Sequence, residues 1–221
     1  MTSISGPDDA THPQSIVYII DDDEDVRMSL GSLLRSVGHR VQVFGSPHEF
    51  VDFTRERIPS CLILDVRLRG ESGLVFQQAV AKIAPHIPVL FITGYPDVEM
   101  SVKAMKAGAF DFFAKPFREQ DMLDAVARAL QHHAERLLVE SSTIELRGRF
   151  ELLTPREREV LEFVLGGLLN KQIADQMHVS EITIKLHRGR VMRKMAVRSV
   201  VDLVRQAEVL GVKPRMLLRR P

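Results

Sequence analysis

The chain has 221 residues, 45% of them apolar and 27% charged, with a formal net charge of +1. That content fills one or two ordinary cores, and no apolar run is long enough to predict a membrane span. The single cysteine, Cys61, excludes a disulfide framework and points to a reducing cytoplasm. The polar start, Met1 to Gln14, lacks the basic flank and apolar stretch of a signal peptide and reads as part of a flexible arm over 1–15. The near-neutral total conceals two unlike halves: residues 1–149 hold 16 Lys and Arg against 21 Asp and Glu, and residues 150–221 hold 14 against 8. The acidic half suits a cation, the basic half a polyanion.

In chain order, the first apolar run is Ile16 to Ile20, followed by a helical stretch from Asp25 to Val37 that Gly38 closes. Val41 to Phe44 reads as a second strand, and Ser46-Pro47-His48-Glu49 has the form of a capping box with Pro at the first helical position. Further apolar runs at Cys61 to Leu64, Pro88 to Ile92 and Asp111 to Ala114 alternate with helical segments after Gly73, Pro96 and Arg118. Short apolar runs alternating with helices predict a doubly wound α/β domain with a buried, five-stranded parallel sheet. The last of these helices is expected to run from about Gln120 to Val139, with His132-His133 on an exposed part and a linker at Glu140-Ser141-Ser142-Thr143.

Asp21, Asp22, Asp65, Thr93 and Lys115 each follow or close one of these runs. Ligands of open α/β sheets bind at the carboxyl edge of the strands. Three carboxylates, a hydroxyl and an ammonium meeting there suit Mg²⁺ and a phosphoryl group. Asp65 gains nothing for packing at the end of a purely apolar strand and is placed as a nucleophile toward phosphorus. Bound Mg²⁺ would relieve the repulsion among Asp21, Asp22 and Asp65, Lys115 would pair with one phosphate oxygen, and Thr93 would hydrogen-bond another.

With these motifs, residues 16–130 resemble a two-component receiver domain of flavodoxin-like fold. The resemblance implies Asp65 as phosphoacceptor, Asp22 and Asp65 as direct Mg²⁺ ligands, Asp21 acting largely through water, and the Arg67 backbone carbonyl completing the set. It implies Thr93 and Lys115 as the phosphoryl-binding pair, a cis bond in Lys115-Pro116 and Phe112 as the switch aromatic. Receivers commonly carry Met-Pro after the phosphoacceptor loop, whereas this chain has Leu68-Arg69-Gly70-Glu71. That difference alters the charge beside the metal and bears on the lifetime of the phosphorylated form.

After a linker over 131–150 the pattern changes. Thr154-Pro155-Arg156-Glu157 is another capping box, opening a helix that Gly166-Gly167 ends. Asn170 to Met177 and a helix capped by Ser180 and reaching about Met195 flank a tight turn at His178-Val179, which is a helix-turn-helix. Ile184, His187, Val191 and Met195 form the expected inward stripe of the third helix, and Lys185, Arg188, Gly189 and Met192 the opposite one. A basic helix of this kind fits the DNA major groove. His187 reads as a packed or capping residue.

Leu153 to Leu161, Gly167 to Ala174 and Thr183 to His187 together resemble the LuxR-type DNA-binding domain, here over 151–211 with a tail at 212–221. With the receiver in front, the chain resembles a NarL/FixJ-family response regulator. That resemblance implies phosphorylation of Asp65 by a sensor histidine kinase, and homodimerisation through the face of the fourth helix and fifth strand around Val102, Met105 and Phe112. It further implies binding to two half-sites of promoter DNA and contact with RNA polymerase, in the cytoplasm and away from membranes, with no enzyme activity as the output. DNA contacts are expected from Lys171, Ser180, Thr183, Lys185, Leu186, Arg188, Arg190, Arg193 and Lys194, while Gly189, where relatives often have a larger side chain, reduces readout at one position. The alternatives are a Mg²⁺-dependent phosphohydrolase with Asp65 as nucleophile, and a DNA-binding regulator independent of phosphorylation.

Overall fold

The structure is a computed structural model that describes residues 15–216. Of the expected arm and tail, residues 1–14 and 217–221 lie outside the described residues. The chain divides into two compact units between Leu138 and Val139.

In the first unit the elements are β1 (Ile16–Ile20), α1 (Glu24–Ser36), β2 (Arg40–Phe44), α2 (Pro47–Asp52) and β3 (Ser60–Asp65). A two-residue hairpin follows, β4 (Arg67–Leu68) and β5 (Glu71–Ser72), and then α3 (Gly73–Ile83), β6 (Val89–Thr93), α4 (Val98–Lys106), β7 (Asp111–Ala114) and α5 (Glu119–Glu151). The main sheet has the order β2-β1-β3-β6-β7, with every pairing parallel. Alternate side chains of each strand enter opposite cores. Tyr18 and Ile20 meet Phe50 of α2, Phe76 of α3 and Ala104 of α4. Val17 and Ile19 meet Leu30 and Leu34 of α1 and Met122, Val126 and Ala129 of α5. Both faces are therefore covered, which is why the strands read as unbroken apolar runs.

Two features of α5 differ from expectation. The helix continues through Glu140-Ser141-Ser142-Thr143 to Glu151. Within it the Ser142 and Thr143 hydroxyls each donate to the Val139 carbonyl at 2.8 Å, so these residues satisfy their polar groups without leaving the helix. His133 is buried, not exposed. It continues the inward spacing of Met122, Val126 and Ala129, and its Nδ1 accepts the Ser60 backbone N–H at 2.9 Å, while neighbouring His132 is exposed and lies against the Phe110 ring.

The second unit comprises the end of α5, then α6 (Pro155–Leu165), α7 (Asn170–Met177), α8 (Glu181–Lys194) and α9 (Val200–Leu210). Val160, Leu161, Val164, Ile173, Met177, Ile184, Val191, Met195 and Leu203 fill its core. Thr154 and Glu157 make the anticipated reciprocal capping box. His178 ends α7 in the left-handed region at φ 55°, producing the tight turn before α8. The segment after α9 packs as well: the Arg215 backbone N–H donates to the Glu162 carbonyl at 2.9 Å and its guanidinium lies 4.9 Å from the centre of the Phe163 ring. A side chain at Gly166 would collide with the Arg215 carbonyl, its Cβ falling 2.2 Å away.

Candidate functional site

β1 and β3 are neighbours at the sheet's centre, and the chain leaves β1 toward β2 on one side before returning to β3 on the other. That reversal opens a crevice at the carboxyl ends of the two strands. Asp21 directly follows β1 and Asp65 closes β3, both buried, at 0% and 6% exposure. Lys115, just past β7, reaches across and bonds both carboxylates, with Nζ 2.6 Å from Asp21 Oδ2 and 2.7 Å from Asp65 Oδ2. The remaining oxygens are held by the backbone: Asp21 Oδ1 accepts the Asp23 N–H and Asp65 Oδ1 the Arg67 N–H, each at 2.9 Å.

Burial pushes the Asp21 carboxyl up, and the Lys115 ammonium pulls it back. Burial also draws Lys115 down, but its bonds to Asp21 and Asp65 outweigh this and hold it above the usual lysine range. Lys115 thus remains a full positive charge. Thr93 ends β6, fully buried, its Oγ1 accepting the Tyr95 N–H at 3.3 Å. Oxygens of Asp21, Asp22 and Asp65 approach within 4.8 Å of one another, a grouping able to hold a metal ion. Asp22 is already paired, with Arg69 Nε 3.1 Å from its Oδ2. Lys115-Pro116 is cis. Phe112 is half-buried, 6.4 Å from the Phe91 ring, and Val102 and Met105 are exposed on α4. The structure thus brings Asp21, Asp22, Asp65 and Lys115 together, with Thr93 at the neighbouring strand end.

In the helical unit, Lys171, Ser180, Lys185, Leu186, Arg190 and Arg193 are exposed. Ser180 caps α8, its Oγ accepting the Thr183 N–H at 3.2 Å and lying 2.8 Å from Thr183 Oγ1. Two expected DNA contacts are engaged elsewhere. Lys194 Nζ lies 2.6 Å from Glu157 Oε2 and donates to the Leu152 carbonyl at 2.9 Å, which commits it to its own domain. Arg188 donates to Asn170 Oδ1 at 2.7 Å and is half-buried. Met192 packs against the core, so Arg188 and Met192 lie on a flank rather than opposite the buried stripe of Ile184, Val191 and Met195. His187 is half-buried, with Nδ1 enclosed and making no hydrogen bond.

Comparison with known proteins bears on both units. The response regulator receiver domain model matches residues 17–127, and the model of bacterial regulatory proteins of the luxR family matches residues 151–207. Nodulation protein W of Bradyrhizobium diazoefficiens is 47% identical over 90% of this chain and 88% of its own length. The chain belongs to the response regulators with a luxR-type DNA-binding domain. Response regulator protein TmoT of Ectopseudomonas mendocina is also 47% identical, over 89% of this chain and 90% of its own length. The solved structure of response regulator StyR is similar with a TM-score of 0.81 at 42% identity, covering 88% of this chain and 98% of that one.

This response regulator is thus of a kind that regulates transcription. Among the described residues, no helix is long and apolar enough to cross a membrane. Three site features were not read as such in the sequence. Gly73 backs onto the loop that follows β3: a Cβ there would fall 2.2 Å from the Asp65 carbonyl oxygen, and its N–H donates to the Val66 carbonyl at 2.9 Å. The Arg69–Asp22 pair spans two loops 47 residues apart, and sequence spacing carries no signal for it. Buried Glu157, read only as a cap, is also the partner of Lys194.

Proposed function

We propose that this response regulator is switched by phosphorylation of Asp65, which enables it to bind promoter DNA as a dimer. The observation that carries the reading is the Lys115 ammonium bridging Asp21 and Asp65 at adjacent strand ends, in a chain that also holds a luxR-type domain. The donor is the phosphohistidine of a sensor histidine kinase. Its P–N bond breaks as an Asp65 carboxylate oxygen bonds to phosphorus, giving an acyl phosphate and a free imidazole.

The residues present fit Mg²⁺: the donors are the carboxylate oxygens of Asp21, Asp22 and Asp65, and these are the ligands a hard cation takes. Asp21, Asp22, Asp65 and the Arg67 carbonyl would hold it, and bound there it neutralises charge between the incoming phosphate and Asp65. Lys115 exchanges one carboxylate partner for a phosphoryl oxygen. Thr93 donates its hydroxyl to another, and Phe112 turns inward as Thr93 moves. The surface of α4 and β7, with Val102 and Met105, then pairs with a second copy. Two helical domains read two half-sites through α8, with Lys185 and Leu186 toward bases and Lys171, Ser180, Thr183, Arg190 and Arg193 toward phosphates or sugars, beside RNA polymerase in the cytoplasm.

The test is a selection from random duplex DNA with the full-length protein and Mg²⁺, with and without beryllofluoride as phosphoryl mimic. Enrichment of a two-half-site sequence mainly in the activated sample is the expected result. Equal enrichment in both samples would remove phosphorylation as the control while keeping the DNA reading.

A further inference from the structure

Helix α8 is apolar on two sides. Ile184, Val191 and Met195 face the core at 0%, 2% and 0% exposure, yet Ile182 and Leu186 stand out at 73% and 58%. At about 100° per residue, Ile182, Leu186, Gly189 and Arg193 fall on one stripe, opposite the buried one. Lys185 flanks that stripe on one side and Thr183 and Arg190 on the other. Gly189 leaves open space around its missing side chain, so the helix presents bare backbone one turn beyond Leu186.

Isolated exposed apolar side chains are ordinary. Here the two are successive neighbours at i and i+4, and both cations and hydroxyls border them. That composition is wrong for a protein core, because packing it there would bury Lys185 and Arg190 unpaired. It suits the DNA major groove, about 12 Å wide, where the only exposed apolar group on a base edge is the C5 methyl of thymine.

We propose that Ile182 and Leu186 form an apolar edge that reads thymine methyl groups within each half-site. The inference rests on the DNA-binding reading of α8 and adds to it the base that the helix selects. Ile182 is then a specificity-determining residue, with Lys185 alongside it supplying a hydrogen-bonding contact and the flanking cations fixing the helix on the phosphates. Gly189 permits the close approach that short apolar side chains require.

The test uses the duplex enriched by the full-length, beryllofluoride-treated protein and replaces its thymines one at a time by deoxyuridine, which removes only the methyl. At one or more half-site positions the wild type should lose about fourfold in affinity, the scale of one buried methyl group. Ile182→Ala or Leu186→Ala should weaken binding to the thymine duplex and abolish the difference between thymine and uracil at that position. Both side chains are exposed, and an unchanged melting temperature verifies that the domain remains folded. A half-site without thymine, or equal affinity for thymine and uracil at every position, overturns the inference and leaves the DNA-binding reading intact. Enrichment of no sequence at all overturns both.

Discussion

Lys194 Nζ lies 2.6 Å from the carboxylate of Glu157, so one of the basic residues at the end of α8 points into its own domain. Glu157 is 2% exposed and also receives the Thr154 N–H at 2.9 Å, joining the start of α6 to the end of α8. Basic residues on one helix therefore divide into those that hold it in place and those free to meet a polyanion.

That division predicts different salt behaviour. Arg190→Ala should reduce the slope of log affinity against log salt by about one, the signature of a lost phosphate contact. Lys194→Ala should leave the slope unchanged and lower the melting temperature of the helical unit instead. Affinity titrations of the two variants across a salt series, with parallel melts, check both.

Acid should weaken the helical unit through Glu157. Burial alone would raise its carboxyl, but the bond from Lys194 and those from Thr154 prevail and hold it below the usual glutamate range. The folded-state value being the lower one, the unfolded chain takes up the proton first. The contribution is complete above the ordinary glutamate value of about 4.3 and is lost as pH falls through the lowered folded value. Glu157→Gln should cost about 1–3 kcal/mol at pH 7, with the difference from wild type shrinking toward pH 3. Urea melts of both proteins from pH 7 to pH 3 measure it.

Gly73→Ala tests the backbone behind Asp65 and its proposed phosphorylation. A methyl 2.2 Å from the Asp65 carbonyl oxygen cannot be accommodated without moving that loop. The receiver should lose about 1–3 kcal/mol of stability. Labelling of Asp65 by a small-molecule phosphodonor should also slow at temperatures where the variant remains folded. Asp65→Asn, by contrast, should fold normally and take no label, and mass spectrometry of the treated proteins distinguishes the two.

Arg69 pairs with Asp22, one of the three carboxylates proposed to hold Mg²⁺. Its side chain is 87% exposed, so the pair with Asp22 is weak and screened by solvent. Arg69→Ala should tighten Mg²⁺ binding about two- to fivefold, corresponding to an exposed ion pair. Calorimetric titration at low salt gives the value, and the gain should shrink at high salt.

The parts of the molecule legible in the sequence were those written in local periodicity. The strands Ile16–Ile20 and Asp111–Ala114 announce themselves as apolar runs, and Thr154 to Glu157 as a cap, because each depends on neighbours in the chain. Asp21, Asp65 and Lys115 were legible for a topological reason: parallel strands end on one edge, so residues 50 and 94 positions apart must converge. What escaped was pairwise and long-range. His133 adjoins exposed His132 yet falls one turn beyond Ala129 on the inward spacing that starts at Met122, and Lys194 differs from its basic neighbours only through Glu157, 37 residues away. The helix through Glu140 to Thr143 was obscured because serine and threonine suit turns as readily as they bond back onto a helix.

Arg215 closes over Gly166 so tightly that any side chain there would be displaced. The helical half is consequently portable only together with the stretch that follows α9. A chimaera grafting this output module onto another receiver, but stopping at Leu210, would strip α6 of the arginine that covers Phe163 and pairs with Glu159. A graft of the helical unit should therefore carry the chain at least through Arg215.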